Sequence, residues 1–267
     1  MERVAMTENY YEFAWLYDAA FSWDVTDEVR WLIERLAGPA SVLEPACGSG
    51  RMLEGFARAG VAANGLDRSP VMLRRARERF ARGGLPEPHL AVGELTSCDI
   101  AFAGPFDAAV MPIGTFGYLA TNDDASAHLA GMARLLRPGA RYLVQFDLET
   151  LATFQPRLPG PTSCWDTPHE RGTIRCTVSG RDWNPATCMT TEIARFEILD
   201  GPEAGFCHES EHPMRVWDWA AWSALVAASP FEQTAAYDGN DRARSELERG
   251  PALEGRPLLW HELTLPA

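Results

Sequence analysis

The sequence predicts an α/β fold: a seven-stranded, mostly parallel sheet with helices on both faces, carrying an inserted antiparallel β segment. Three observations lead there. Short apolar runs alternate with helical periods through residues 41–146. A small-residue turn, Glu44-Pro45-Ala46-Cys47-Gly48-Ser49-Gly50, joins the first such run to a helix. Helical period then vanishes over 172–216, where side chains alternate in steps of two between turns.

In order, residues 10–21 read as a short helix rich in aromatics. Residues 27–36 read as another, with Val29, Leu32, Ile33 and Leu36 on one face. The first strand covers 41–44; the turn follows, then a helix over 51–58. A second strand over 61–66 ends on Asp67. Ser69-Pro70 pairs a cap residue with a proline whose missing N–H costs nothing at a helix start. That helix runs to 81, where "RGGLPEP" stops it. Strands are expected at 89–92 and 106–111, a helix at 124–136 ended by Pro138-Gly139, and a fifth strand at 141–146. Such alternation buries both faces of a parallel sheet. "TIRCTVSGR", "MTTEIARFEIL" and "FCHESEHPMRVW" form a three-stranded antiparallel meander. A helix over 217–228 and strands over 233–237 and 258–265 complete the sheet.

Composition narrows the function. Hydrophobic residues make up 46% and charged residues 23%, enough apolar material for a large core. No apolar run approaches the ~18 residues of a membrane span. The opening "MERVAMTENYYEF" lacks the basic start and apolar stretch of a signal peptide. A formal charge of −13 repels phosphate backbones, which argues against nucleic acid. None of the six cysteines forms a C-x-x-C pair, so neither a metal site nor a redox motif is indicated. Scattered thiols without a secretion signal point to a reducing cytoplasm.

The turn itself counts against two nucleotide sites. A dinucleotide fingerprint needs a third glycine where Leu53 stands. A P-loop needs Lys and Ser/Thr after its glycine, but Arg51 and Met52 follow Gly50.

An acid ending the strand, a small-residue turn, and a second acid, Asp67, 23 residues after Glu44 resemble the first motifs of the class I S-adenosylmethionine-dependent methyltransferases, which have a Rossmann-like fold. "AVGELTS", "FDAAVMPIGTFGYL" and "LLRPGARYLVQF" resemble the later motifs, in the same order. The resemblance covers roughly residues 10–148 and the last two strands. It implies S-adenosyl-L-methionine as cofactor and S-adenosyl-L-homocysteine as product. Glu44 and the turn, with Ala46, Cys47, Gly48 and Gly50, would hold the methionine end. Asp67 would bind the ribose hydroxyls, with Arg68 and Met72 nearby. Gly93, Glu94 and Leu95 would flank the adenine, Glu94 accepting from its amino group. Met111, Pro112 and Ile113 would lie beside the reactive end. Alanine at position 46, where the family has glycine, is tolerated if its φ stays negative. The aromatic N-terminus resembles a lid helix, in which Tyr10, Tyr11 or Tyr17 closes over the cofactor.

On this reading 1–267 is one methyltransferase domain: lid helices over 1–40, a cofactor-binding half over 41–150, the inserted substrate cap over 151–216, and the last helix and strands over 217–267. Methyl transfer is an in-line displacement that needs alignment more than a strong base, so no catalytic triad is required. The chain lacks the [DNS]-P-P-[YFW] run of amide or adenine methylation and the Pro-Cys pair of cytosine methylation. With the acidic surface, this favours nitrogen or oxygen of a small molecule as acceptor. Tyr118, His208 and His212 are candidate catalytic groups; Tyr11, Tyr118 and Arg215 are candidate substrate contacts, the arginine for a carboxylate or phosphate. The tryptophans past residue 164 would line an aromatic cap or, more simply, fill space. A monomer or homodimer is expected. The rival readings are a protein methyltransferase, a non-catalytic cofactor-binding regulatory or assembly protein of this fold, and an oxidoreductase, which Leu53 disfavours.

Overall fold

A computed structural model describes residues 13–156, 164–241 and 243–267. The chain divides into two compact units: Val25–Phe154 with Arg215–Ala267, and Met1–Asp24 with Gln155–Met214. The first break falls inside the stretch read as lid helices.

The larger unit is built on seven strands: β1 (Ser41–Pro45), β2 (Ala62–Asp67), β3 (His89–Val92), β4 (Phe106–Met111), β5 (Leu136–Gln145), β10 (Glu232–Asp238) and β11 (Leu259–Thr264). Their order is β10-β11-β5-β4-β1-β2-β3, and β11 alone runs against its neighbours. β1 pairs in parallel with β2 on one side and β4 on the other, so the strand order reverses there. The carboxyl ends of β1 and β4 flank this switch point, where open α/β sheets bind ligands.

Alternate residues of the central strands feed two cores. Val42, Ala108 and Val110 face α2 (Thr26–Arg35) and α3 (Arg51–Arg58) through Val29, Leu32, Met52 and Phe56. Leu43, Ala109 and Met111 share the opposite core with Leu129 and Met132 of α6 (Asn122–Leu135) and Trp222 and Leu225 of α7 (Trp219–Ala227). Trp217, Trp222 and Trp260 are fully buried in these cores, the space-filling role rather than a cap lining.

Helix ends follow local chemistry. α4 (Pro70–Arg82) starts with Pro70 behind Ser69, whose Oγ accepts the Met72 N–H. α6 starts two residues before the expected Asp124, because Thr121 and Asp124 cap each other reciprocally. Pro138-Gly139 does not end α6. The chain turns extended at Leu136 and pairs with Phe106, and the proline–glycine step falls in a register break before regular pairing resumes at Arg141.

The smaller unit carries α1 (Ala14–Ala20) and a four-stranded antiparallel sheet, β6 (Cys164–Thr167), β7 (Ile174–Asn184), β8 (Met189–Ile198) and β9 (Cys207–Arg215), in that order across the sheet. The expected meander had three strands; β6 is the addition. Its four residues carry no alternation long enough to read. It is fixed from outside its own sequence, by pairing with β7 and by Trp165 Nε1 donating to Ala20 O at 2.7 Å. One face of the sheet buries Ile174, Cys176, Phe196 and Ile198; on β7 the alternate Arg175 forms a two-pronged pair with Asp166. No described helix is long and apolar enough to cross a membrane.

Candidate functional site

The site begins with a strand that ends in a buried acid. Glu44 lies one residue from the end of β1 and is 3% exposed. Its carboxyl accepts the backbone N–H of Leu53, in the first turn of α3. That helix has no side-chain cap of its own, so Glu44 satisfies a donor that would otherwise be orphaned. Its Oε2 has no hydrogen-bond partner among the described residues. Burial pushes the Glu44 pKa up to about 8, opposed by the Arg51 guanidinium and reinforced by Asp67.

The turn between β1 and α3 is folded by left-handed residues. Ala46, Gly48 and Gly50 have φ of 57°, 53° and 77°. The expectation of a negative φ at Ala46 is therefore corrected: the turn imposes the left-handed conformation on alanine at a cost of about 1–2 kcal/mol. Main-chain bonds fix it, Cys47 N–H to Leu66 O and Gly50 N–H to Cys47 O, both 2.9 Å. A Cβ on Gly50 would stand 3.0 Å from Ala76 Cβ, so α4 closes on the turn directly.

Asp67 ties the turn to the next helix. Its Oδ2 accepts the Gly48 N–H and its Oδ1 the Ser69 N–H, both at 2.8 Å. It is 6% exposed, and burial raises its pKa against these two bonds. A carboxylate offers about four acceptor positions, so two remain for a ligand's hydroxyls. Arg68 is exposed, whereas Met72, in the first turn of α4, is buried.

Leu53 explains the missing third glycine. It is fully buried, and a Cβ on Gly65 of the neighbouring strand would lie 2.6 Å from Leu53 Cδ1 and 2.6 Å from Cys47 Sγ. The close approach that a dinucleotide site obtains from a glycine on the helix is obtained here from a glycine on the strand.

After β3, Gly93 packs closely on the neighbouring strand: a Cβ there would stand 2.5 Å from Leu66 Cδ1, which would have to move. Glu94 is exposed and extended, ahead of a short 3-10 turn over Leu95–Ser97. After β4, Met111 and Pro112 are buried while Ile113 is 39% exposed with φ of 57°. Tyr118 ends the following 3-10 turn, Thr115–Tyr118, and is half-buried. Glu44, the turn, Asp67, Glu94 and the 111–113 loop thus all lie at or just beyond the carboxyl ends of strands β1 to β4 of one sheet.

The remaining predicted residues fall elsewhere. Arg215, in the larger unit, stacks 3.7 Å above the Trp217 ring and donates to Asn122 Oδ1 at 2.7 Å. Tyr17, His208 and His212 belong to the smaller unit. Tyr17 stacks on Phe21 at 4.6 Å, His208 packs 4.6 Å from the Phe13 ring, and His212, 1% exposed, shares a 2.9 Å hydrogen bond with Ser210 Oγ. Tyr10 and Tyr11 lie outside the described residues. Among those residues no His, Cys, Asp and Glu group forms a metal-ligand cluster. Sequence reasoning missed Gln145 and His128, which hold the loops after β4 and β3; their partners are 32 and 33 residues away, beyond any local pattern.

The strand order and the acid–turn–acid construction define the class I S-adenosylmethionine-dependent methyltransferase fold. Residues 42–139 match the family described as "Methyltransferase domain". It is 34% identical over 127 residues to the dTDP-3-amino-3,4,6-trideoxy-alpha-D-glucopyranose N,N-dimethyltransferase of Streptomyces venezuelae, 48% of this chain and 49% of that protein. It is 30% identical over 137 residues to the dTDP-4-amino-2,3,4,6-tetradeoxy-D-glucose N,N-dimethyltransferase of Saccharopolyspora spinosa, 49% and 52% of the two chains. The chain thus spans about half the length of these curated relatives. The fold agrees over nearly all of the chain with S-adenosylmethionine-bound CalS10 from Micromonospora echinaspora, an amino pentose methyltransferase, at a TM-score of 0.69, 20% identity, and 99% and 100% coverage.

Proposed function

We propose that this chain is an S-adenosylmethionine-dependent methyltransferase acting on the nitrogen of a small, sugar-like amine. The observation that carries the cofactor is the pairing of Glu44 and Asp67 across the left-handed turn. Glu44 Oε2 is a buried acceptor lacking a donor, suited to an ammonium, and Asp67 keeps lone pairs for two hydroxyls. The residues present fit the group. When bound, S-adenosylmethionine supplies a methyl already activated by the sulfonium charge.

Glu44 and the Ala46, Cys47, Gly48 and Gly50 turn hold the methionine end in this reading. Asp67 holds the ribose, beside Arg68 and Met72. Gly93, Glu94 and Leu95 receive the adenine, and Met111, Pro112 and Ile113 border the reacting centre. The work left to the protein is to align the acceptor's lone pair and exclude water. An acceptor arriving as an ammonium must first give up a proton; Tyr118, His208 and His212 are the candidates to take it. Arg215 is the candidate for an anionic group on the acceptor, and Tyr17 and Tyr11 for closing the site. The two relatives named for dTDP-amino sugars support nitrogen as the target. The six unpaired cysteines support a cytoplasmic setting, and a monomer or homodimer is the expected state.

Thermal unfolding with S-adenosylmethionine, S-adenosylhomocysteine, NAD and NADP tests the cofactor, with Asp67→Ala as control. A ligand at about 100 times its Kd stabilises by about 2.7 kcal/mol. A shift with the two S-adenosyl compounds alone, lost in the variant, is expected; a shift with NAD instead would overturn the reading. Radiolabelled methyl transfer to dTDP-linked and free amino sugars then tests the acceptor.

A further inference from the structure

We propose that His128 is a positioning residue that sets the adenine selectivity of the site, acting through the main chain of Leu95. The inference rests on the reading above, in which Glu94 and Leu95 receive the base. His128 lies mid-way along α6 and is fully buried, as is Tyr142 on β5. Its Nδ1 is 2.9 Å from Leu95 O and its Nε2 is 2.8 Å from the Tyr142 hydroxyl. A carbonyl oxygen only accepts, so Nδ1 carries the proton and donates to Leu95. Nε2 is then the acceptor, and the Tyr142 hydroxyl donates to it. Burial lowers the His128 pKa to about 4 and raises that of Tyr142, which keeps both groups in the forms this chain of bonds requires.

The loop beyond β3 is otherwise held at its two ends. Gly93 N–H donates to Asp67 O at 3.2 Å on one side. On the other, α6 approaches the short helix α5 (Cys98–Ala101) through Gly131, where a Cβ would meet Cys98 Sγ at 2.9 Å, and through Arg134, which donates to Asp99 at 2.7 Å. Between these, His128 reaches the residue next to Glu94. It is tied in turn to the sheet, so the carbonyl is referred to a rigid strand and not to the surface of α6. A hydrogen bond chained to a second one inside a core is both stiffer and more costly to leave half-made than one at the surface. That is more than a helix needs for packing, since leucine would fill the same space.

The test compares binding of S-adenosylhomocysteine with S-inosylhomocysteine, which lacks the exocyclic amino group, by calorimetry on the full chain. Wild type is expected to prefer the adenosyl compound. His128→Leu should narrow that preference about fivefold, the value of one hydrogen bond. His128→Asn, whose amide still donates toward Leu95, should retain most of it. Tyr142→Phe, which leaves the helix and loop intact, should narrow it in the same direction and serves if His128→Leu does not fold. A folded His128→Leu or Tyr142→Phe with the wild-type preference overturns the role of His128 while leaving the adenine site standing. A wild type that binds both compounds equally, or neither, overturns the placement of the adenine and this inference with it.

Discussion

Gln145 holds Ile113 in a conformation that a β-branched residue does not choose. The Ile113 N–H donates to Gln145 Oε1 at 2.9 Å, and the next N–H, of Gly114, donates to the main-chain oxygen of Gln145 at 2.9 Å. Ile113 sits at φ 57° as a result. Strain of this kind persists only where the surroundings over-determine it. Here it lies in the loop expected to border the reacting centre. Ile113→Gly should therefore leave the fold as stable as wild type or up to about 1 kcal/mol more stable, relief of strain outweighing glycine's entropy. The same variant should lower kcat several-fold. Gln145→Leu should cost about 1–3 kcal/mol by orphaning the Ile113 N–H. Urea denaturation and steady-state rates separate the two effects; an Ile113→Gly enzyme of full activity would show the strain to be incidental.

Asp67 is expected to serve the turn and the ligand together. Asp67→Asn exchanges one acceptor oxygen for a donor, so either the Gly48 or the Ser69 N–H loses its partner. Stability should fall by about 1–3 kcal/mol. Affinity for S-adenosylhomocysteine should fall by about tenfold or more, since the ribose acceptors are disturbed as well. Calorimetric titration alongside denaturation checks both.

Glu44 should make cofactor binding pH-dependent. Its folded pKa is about 8, so the carboxyl is protonated in the unliganded protein at neutral pH. An ammonium beside it would favour the carboxylate, and binding would release a proton. Affinity should then rise with pH, by at most about tenfold per unit, and level off above about pH 8. Titrations in buffers of different ionisation enthalpy would detect the proton, and Glu44→Gln should abolish it. The stability effect runs the other way. A carboxyl whose folded pKa is raised stabilises fully below the unfolded value near 4.5 and loses this as pH rises through 8. Glu44→Gln should accordingly gain on wild type in thermal stability between pH 5 and pH 9.

Ala46→Gly should stabilise the protein by up to about 1 kcal/mol, because φ of 57° costs glycine nothing sterically. Cofactor affinity should be unchanged or higher, as glycine lets the backbone approach a ligand more closely. A rise in Tm with undiminished binding is the expected result.

What the sequence made legible was coded locally. The strand endings at Asp67 and Met111, the cap at Ser69 and the glycine turn each lie within a few residues of the signal that announces them. β6 was not legible, because four residues specify a strand only through a partner already in place. The left-handed Ala46 was not legible either: alanine carries no mark of the conformation that Leu66 O and Asp67 impose on its neighbours. Gln145 reads as an ordinary strand residue and His128 as an ordinary helix residue. Their roles exist only once β4, β5 and α6 have been brought side by side.

The Leu53–Gly65 contact has a consequence for how such sites are compared and altered. Bulk on the helix and emptiness on the strand form one complementary pair, so each residue is permitted by the other. Gly65→Ala alone should overpack the joint by about 1–3 kcal/mol, and Leu53→Ala alone should leave a void. Combined, the two should cost less than their sum, with a coupling readable from a double-mutant cycle. Changing the nucleotide preference of this turn would then be a matter of exchanging bulk across two elements at once, since a glycine placed at 53 by itself faces an empty strand.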